Sequence, residues 1–94
     1  MTVYDKKLLL KAKRGDVTAF EILTKPYQKK IYNLFLTICN ERDYASRLTQ
    51  EVFVRVYRSL SDLGDKPALP ALIYKVTKDI YVNSISNQNI VKLK

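Results

Sequence analysis

The sequence predicts an all-α fold, a small helical bundle of three main helices plus a short N-terminal one. Two observations lead there. Glycine and proline are scarce, with two and three in 94 residues, which favours a few long helices over many short strands. Apolar residues recur at steps of three and four over long stretches, the period of a helix that buries one face. At 94 residues and 47% apolar content the chain makes one domain with a modest core. The reading places that domain at 1–86 and takes 87–94 as a tail or the start of a linker.

The first helix is "TVYDKKLLLKAKR". Gly15 stops it, at a position that calls for positive φ, and Asp16 then caps the next helix. The second, "VTAFEILTKPYQKKIYNLFLTICN", is the longest. Phe20, Leu23, Tyr27, Ile31, Leu34 and Ile38 form its main stripe. Ile22, Tyr32 and Leu36 add apolar groups on the far side, as a central helix packed on two faces requires. Pro26 lies inside this pattern, where it removes a backbone donor and is expected to bend or split the helix.

"NERD" links to a third helix, with Asp43 as the expected cap. At ~100° per residue, Ala45, Leu48, Val52 and Val56 share its inner side. The opposite side carries Arg47, Gln50, Glu51, Val54 and Arg58. After the loop "SDLGDKPALP" comes the fourth helix, "ALIYKVTKDIYVNSI". Leu69, Leu72, Ile73, Val76 and Ile80 form its buried stripe; Tyr74, Lys75, Lys78, Tyr81, Val82 and Ile85 face out.

Composition narrows function before any motif does. Lys plus Arg number 17 against nine Asp plus Glu, a formal charge of +8. Such a surface suits nucleic acid, an anionic membrane or an acidic protein, although a small soluble domain can reach this charge without a special partner. There is no histidine and one cysteine, Cys39. Zinc sites of Cys/His type, histidine acid–base chemistry and an internal disulfide are thereby excluded. Cys39 lies in the apolar run "IYNLFLTIC" and reads as a small core residue. No signal peptide, no spanning segment, no phosphate-binding glycine loop and no carboxylate pair at metal-binding spacing is found. The chain reads as a cytoplasmic, non-enzymatic binding module that needs no cofactor.

Two surfaces fit that role. On the third helix, Val54 lies one turn from Gln50 and one from Arg58, a small apolar spot in a polar rim; on physics alone a single exposed valine fits plain surface equally well. On the fourth helix, Tyr74 and Tyr81 alternate with Lys75 and Lys78. Cations attract phosphates and tyrosines stack on unpaired bases, but the same tyrosines could simply pack on a neighbouring helix.

Taken in order, "KRGDVTAFEIL", "RDYASRLTQEVFVRVYRSL" and "ALIYKVTKDIYVNSI" resemble region 2 of bacterial RNA polymerase sigma factors, especially the extracytoplasmic-function (sigma-70 family) type. The resemblance runs from about Leu8 to Ile85, with "LTQEVFVRVYRSL" its most specific piece. It implies a helical domain with two jobs in transcription initiation. The third helix would dock on the β′ clamp helices of RNA polymerase core. The loop Leu63–Leu69 and the fourth helix would engage the promoter −10 element, holding a base flipped from the melted non-template strand. By position, Arg47, Leu48, Gln50, Glu51, Val54, Arg55 and Arg58 would lie in or beside the polymerase-docking helix. Lys66, Tyr74, Lys75, Lys78, Asp79, Tyr81 and Asn83 would lie where the family binds DNA. An anti-sigma protein is a further partner the family implies. No region 4 is recognisable within these residues, so the expectation is a fragment, or a stand-alone region 2 acting with a separate region-4 partner.

Departures from the family pattern are specific. Ser46 and Arg47 stand where acidic residues are usual, Leu72 where a tryptophan opens the fourth helix, and Asp79 where an asparagine is usual. Ser84, Ser86 and Asn87 replace a basic run. The resemblance implies that Arg47 would bring like charge to the rim of a basic clamp site, while the changes on the fourth helix bear on DNA reading more than on fold. They keep open a degenerate region-2-like regulator, or co-sigma subunit, that binds polymerase or a partner protein without reading promoter DNA. A general basic nucleic-acid-binding bundle is a third class, marked by steep salt dependence without sequence preference.

Overall fold

The structure of the chain, a computed structural model, describes residues 3–63 and 69–93, the last of these from 86 onward by backbone course alone. The described residues form four α-helices and one 3₁₀ turn, with no strand: α1 Val3–Lys13, α2 Val17–Cys39, α3 Arg42–Arg58, the 3₁₀ turn Leu60–Asp62, and α4 Leu69–Leu93. α2 packs against α1 and α3, and α4 packs along α3. α4 meets α2 only slightly, and this unequal embrace of α4 shapes the surfaces below.

Local chemistry sets the helix boundaries. Gly15 adopts φ 99°, the left-handed conformation that ends α1. The Asp16 side chain then accepts a hydrogen bond from the Ala19 amide at 3.0 Å and caps α2. Asn40 ends α2 in the left-handed region (φ 50°, ψ 35°), its amide donating to the Leu36 carbonyl at 2.8 Å. Asparagine tolerates that conformation better than most residues.

The cap of α3 is Glu41, not Asp43. Glu41 is the extended residue between the two helices, and its carboxylate accepts from the amides of Asp43 at 2.9 Å and Tyr44 at 2.7 Å. Asp43 falls in the first turn instead, where a negative charge still complements the helix dipole. α4 starts at Leu69, ahead of the expected "ALIY", with Pro70 in its first turn, where a missing amide costs nothing. Its backbone remains helical to Leu93, through the residues read as a tail.

Pro26 does not split α2, which is continuous from Val17 to Cys39. A proline at this position leaves the Ile22 carbonyl without its helical donor. Ile22 is 46% exposed and Pro26 is exposed too, so water can serve that carbonyl. The same exposure corrects the expectation that Ile22 packs on a second neighbour. Tyr32 and Leu36 do pack, partly buried against the core.

The core runs through all four helices, from Leu8, Leu9 and Ala12 on α1 to Ile73, Val76 and Ile80 on α4. On α3 the expected inner side is buried throughout: Ala45, Val52 and Val56 are 0% exposed and Leu48 is 8% exposed. Phe20 of α2 meets Tyr57 of α3 edge-on, with ring centroids 5.1 Å apart, a favoured aromatic geometry. On α2 the stripe shifts at its C-terminal half. Phe35, 0% exposed, takes the core position four residues after Ile31, while Leu34 is 39% exposed. Leu34 faces the side where α4 stands away from α2.

The buried hydroxyls of Thr24 and Thr77 are satisfied within their own helices. Thr24 donates to the Phe20 carbonyl at 2.9 Å and Thr77 to the Ile73 carbonyl at 2.7 Å. Lys13 reaches across to donate to the Leu63 carbonyl at 2.8 Å, tying the end of α1 to the exit of the 3₁₀ turn. Cys39 is partly buried against the core, its thiol 3.4 Å from the Glu41 carbonyl.

Phe35→Ala should lower unfolding free energy by about 3–5 kcal/mol in urea denaturation, the usual cost of removing a fully buried phenyl ring. A loss under about 1 kcal/mol would show that the site is not a packed core position. Asp16→Ala should cost about 1 kcal/mol through the lost cap.

Candidate macromolecule-binding surfaces

With Ala45, Leu48, Val52 and Val56 turned inward, the helical period leaves Arg47, Gln50, Glu51, Val54, Arg55 and Arg58 exposed on α3. Leu48, placed among the docking residues by resemblance, is one of the core side chains, so its contribution there is to hold the helix rather than to touch a partner. Val54 is 46% exposed and lies centrally on this face, between Gln50 and Arg58.

Three of the charged groups are engaged locally. Glu51 and Arg55 form an i,i+4 ion pair, hydrogen-bonded through an Arg55 guanidinium nitrogen. The Arg47 guanidinium lies 5.6 Å from the centroid of the Tyr44 ring, within cation–π reach. Arg47 therefore has an aromatic neighbour one turn back, at the position where the sigma pattern is usually acidic.

On α4 the candidate DNA residues divide between two flanks. Tyr74, 73% exposed, lines a groove of about 660 Å³ between α2 and α4, together with Lys78 and Tyr81. Tyr81 is only half-exposed and packs against the core, unlike its outward expectation. Lys75 and Asp79 turn the other way, into a smaller groove of about 320 Å³ between α3 and α4 that also holds Arg55, Arg58 and the half-buried Leu72. Asn83 lies further along the same side, in a recess with Glu51 and Arg55. The two expected sites thus meet: residues assigned to polymerase and residues assigned to DNA line one groove. Lys66 lies outside the described residues.

Sequence reading missed this meeting because the grooves depend on how α3 and α4 lean together. Neither the exposure of Leu34 nor the burial of Ser84 follows from the sequence pattern; Ser84, at a position where the sigma pattern is basic, is 3% exposed. Among the described residues, no group of His, Cys, Asp or Glu is placed to hold a metal ion, and no helix is long and apolar enough to cross a membrane.

Fold and surfaces together define a class, a small all-α domain whose chemistry is carried by exposed helix faces. Three bacterial transcription proteins then give the resemblance its substance. The chain is 27% identical over 88 residues to the RNA polymerase sigma-H factor of Pseudomonas aeruginosa, an overlap of 94% of this chain and 44% of that protein. It is 26% identical over 84 residues to the ECF RNA polymerase sigma-E factor of Haemophilus influenzae, covering 89% and 44% of the two. The ECF RNA polymerase sigma factor SigW of Bacillus subtilis matches at 25% identity over 85 residues, or 90% and 46%. The likeness to sigma factors read from the motifs therefore extends over nine tenths of the chain. The chain spans less than half the length of the curated relatives it matches. No protein-family model matches it.

Because the Glu51–Arg55 pair is exposed, Glu51→Gln should change stability by no more than about 0.5 kcal/mol in urea denaturation. A loss above about 1.5 kcal/mol would reveal a structural role for the pair that its exposure does not suggest.

Proposed function

We propose that this chain is a sigma-like transcription-initiation domain that docks on RNA polymerase core through the outer face of α3 and engages promoter DNA through α4. The observation that carries the reading is the division of labour within "LTQEVFVRVYRSL". Three of its apolar positions, Leu48, Val52 and Val56, are buried in the core, and Gln50, Val54 and Arg58 are left uncovered together. An uncovered apolar spot in a polar rim suits a protein contact, and the likeness to sigma factors supports RNA polymerase core as the partner, with the β′ clamp helices as our proposed contact.

The DNA half of the proposal rests on Tyr74, Lys75 and Lys78. All three are exposed on the first turns of α4, where the ring can stack on an unpaired base of the −10 non-template strand and the cations can meet phosphates. The sigma-like reading carries a cytoplasmic location and a non-catalytic role with it. The boundary at 86 and a separate region-4 or anti-sigma partner remain part of the same proposal.

A second reading, binding to polymerase or a partner protein without promoter reading, is favoured by one particular. Asp79 is exposed and lines the α3–α4 groove together with Arg55, Arg58 and Lys75, so it lowers the positive potential where a strand would pass.

Pull-down of core polymerase and of an isolated β′ clamp-helix fragment tests the first half. The chain should bind both, and Val54→Glu and Arg58→Glu should each weaken binding at least tenfold. If neither is captured, the sigma-like reading fails. Titrating the chain–core complex with a −10 single strand tests the second half. Tyr74→Ala should cost about 1–3 kcal/mol of strand affinity. Core binding with no strand affinity selects the second reading, and strand binding indifferent to sequence selects a general nucleic-acid binder.

A further inference from the structure

The wide groove between α2 and α4 is not used by the docking face of α3. Its floor and walls are apolar, formed by Ile31 and Leu34 of α2 and by Ile73, Tyr81 and Val82 of α4. Leu34, Tyr74 and Val82 are 39%, 73% and 51% exposed, so three of the large uncovered hydrophobic side chains converge on this one depression. Exposed apolar surface gathered in this way marks an interaction site. It exists because α4 leans on α3 and barely meets α2.

We propose that this groove receives an amphipathic helix of a partner protein, with carboxylates flanking its apolar stripe on both sides. The charge around the groove selects that occupant. Among the described residues, the cations that line it stand on opposite banks, Lys30 on α2 and Lys78 on α4, and no Asp or Glu lines it. The one nearby acid of α4, Asp79, is on the other flank, in the groove with Arg55 and Arg58. A second copy of this chain, with its formal charge of +8, would bring like charge to both banks. A nucleic acid strand would find phosphate partners and the rings of Tyr27, Tyr74 and Tyr81, but the aliphatic surface of Ile31, Leu34, Ile73 and Val82 gives bases no hydrogen-bond partner, whereas it suits the apolar stripe of a helix.

Length agrees with a helix. Along α4 the groove runs from Pro70 to Val82, about 18 Å at 1.5 Å per residue. That is some three turns of a guest helix, enough for anchors at i, i+3 or i+4, and i+7. Tyr74 and Lys78 would be covered by such a helix, so its binding and strand binding at α4 would exclude each other. The proposal itself stands on the groove and does not require the sigma-like reading.

Selection of a displayed library of 16-residue peptides against the 94-residue chain tests it. The selected peptides should carry apolar residues at helical spacing with Asp or Glu on both flanks. Their affinity should fall at least tenfold for Leu34→Glu and for Val82→Glu, two changes at exposed positions whose retained fold is checked by circular dichroism. The paired change Lys30→Glu with Lys78→Glu should reverse the preference to basic flanks. Peptides without acidic flanks, or peptides indifferent to both Leu34→Glu and Val82→Glu, overturn the proposal. So does a chain that yields no peptide but binds oligothymidylate in a way those same changes abolish, which would make the groove a strand site. Core-polymerase binding, read at α3, is a separate measurement that none of these outcomes decides.

Discussion

The seating of α3 governs the rest of the molecule. Its inner stripe includes Ala45, Val52 and Val56, all completely buried. Small and β-branched side chains let a helix approach its neighbours closely while presenting little bulk. Larger groups fill the spaces beside it, Phe35 from α2 and Ile73 and Ile80 from α4. α3 therefore sits against both α2 and α4, and those two scarcely touch. That arrangement decides which residues are core, which face of α3 is left open and where the grooves fall.

Much of this was legible in the chain. Four helices, the Gly15–Asp16 junction and the inner side of α3 follow from period and cap chemistry, which are local. The misreadings share another cause. Leu34 and Phe35 are equally apolar, and only the standing-off of α4 decides which of them is covered. Pro26 argues for a break by local rules, yet the buried contacts of α2 on either side of it outweigh one lost hydrogen bond. The cap lies two residues earlier, at Glu41 rather than Asp43, with Asn40 turning the chain in the left-handed conformation just before it, a backbone choice that composition does not reveal. Site residues were legible as types on helix faces. Their grouping was not, since Arg55 and Lys75 are twenty residues apart and meet only through packing.

That grouping changes how the surface charge is to be understood. A net charge of +8 suggests a diffuse basic coat. The structure resolves it into distinct settings. Arg47 lies by the Tyr44 ring, Arg55 is paired with Glu51, Arg58 and Lys75 share a groove with Asp79, and Lys30 and Lys78 border apolar surface. Lys13 is committed to the Leu63 carbonyl. Charge that is partly spent on neighbours steers approach and orientation more than it adds affinity.

The one-sided packing of α4 also has an evolutionary consequence. Leu69, Ile73, Val76 and Ile80 are bound by the core and can change only at a cost to folding. Tyr74, Lys78 and Val82 answer to no neighbour that holds the bundle together. Substitutions there are close to neutral for stability and act on recognition alone. The helix thus separates two kinds of selection along its length, so that a lineage could exchange one partner for another on that flank while the scaffold beneath stayed as it was.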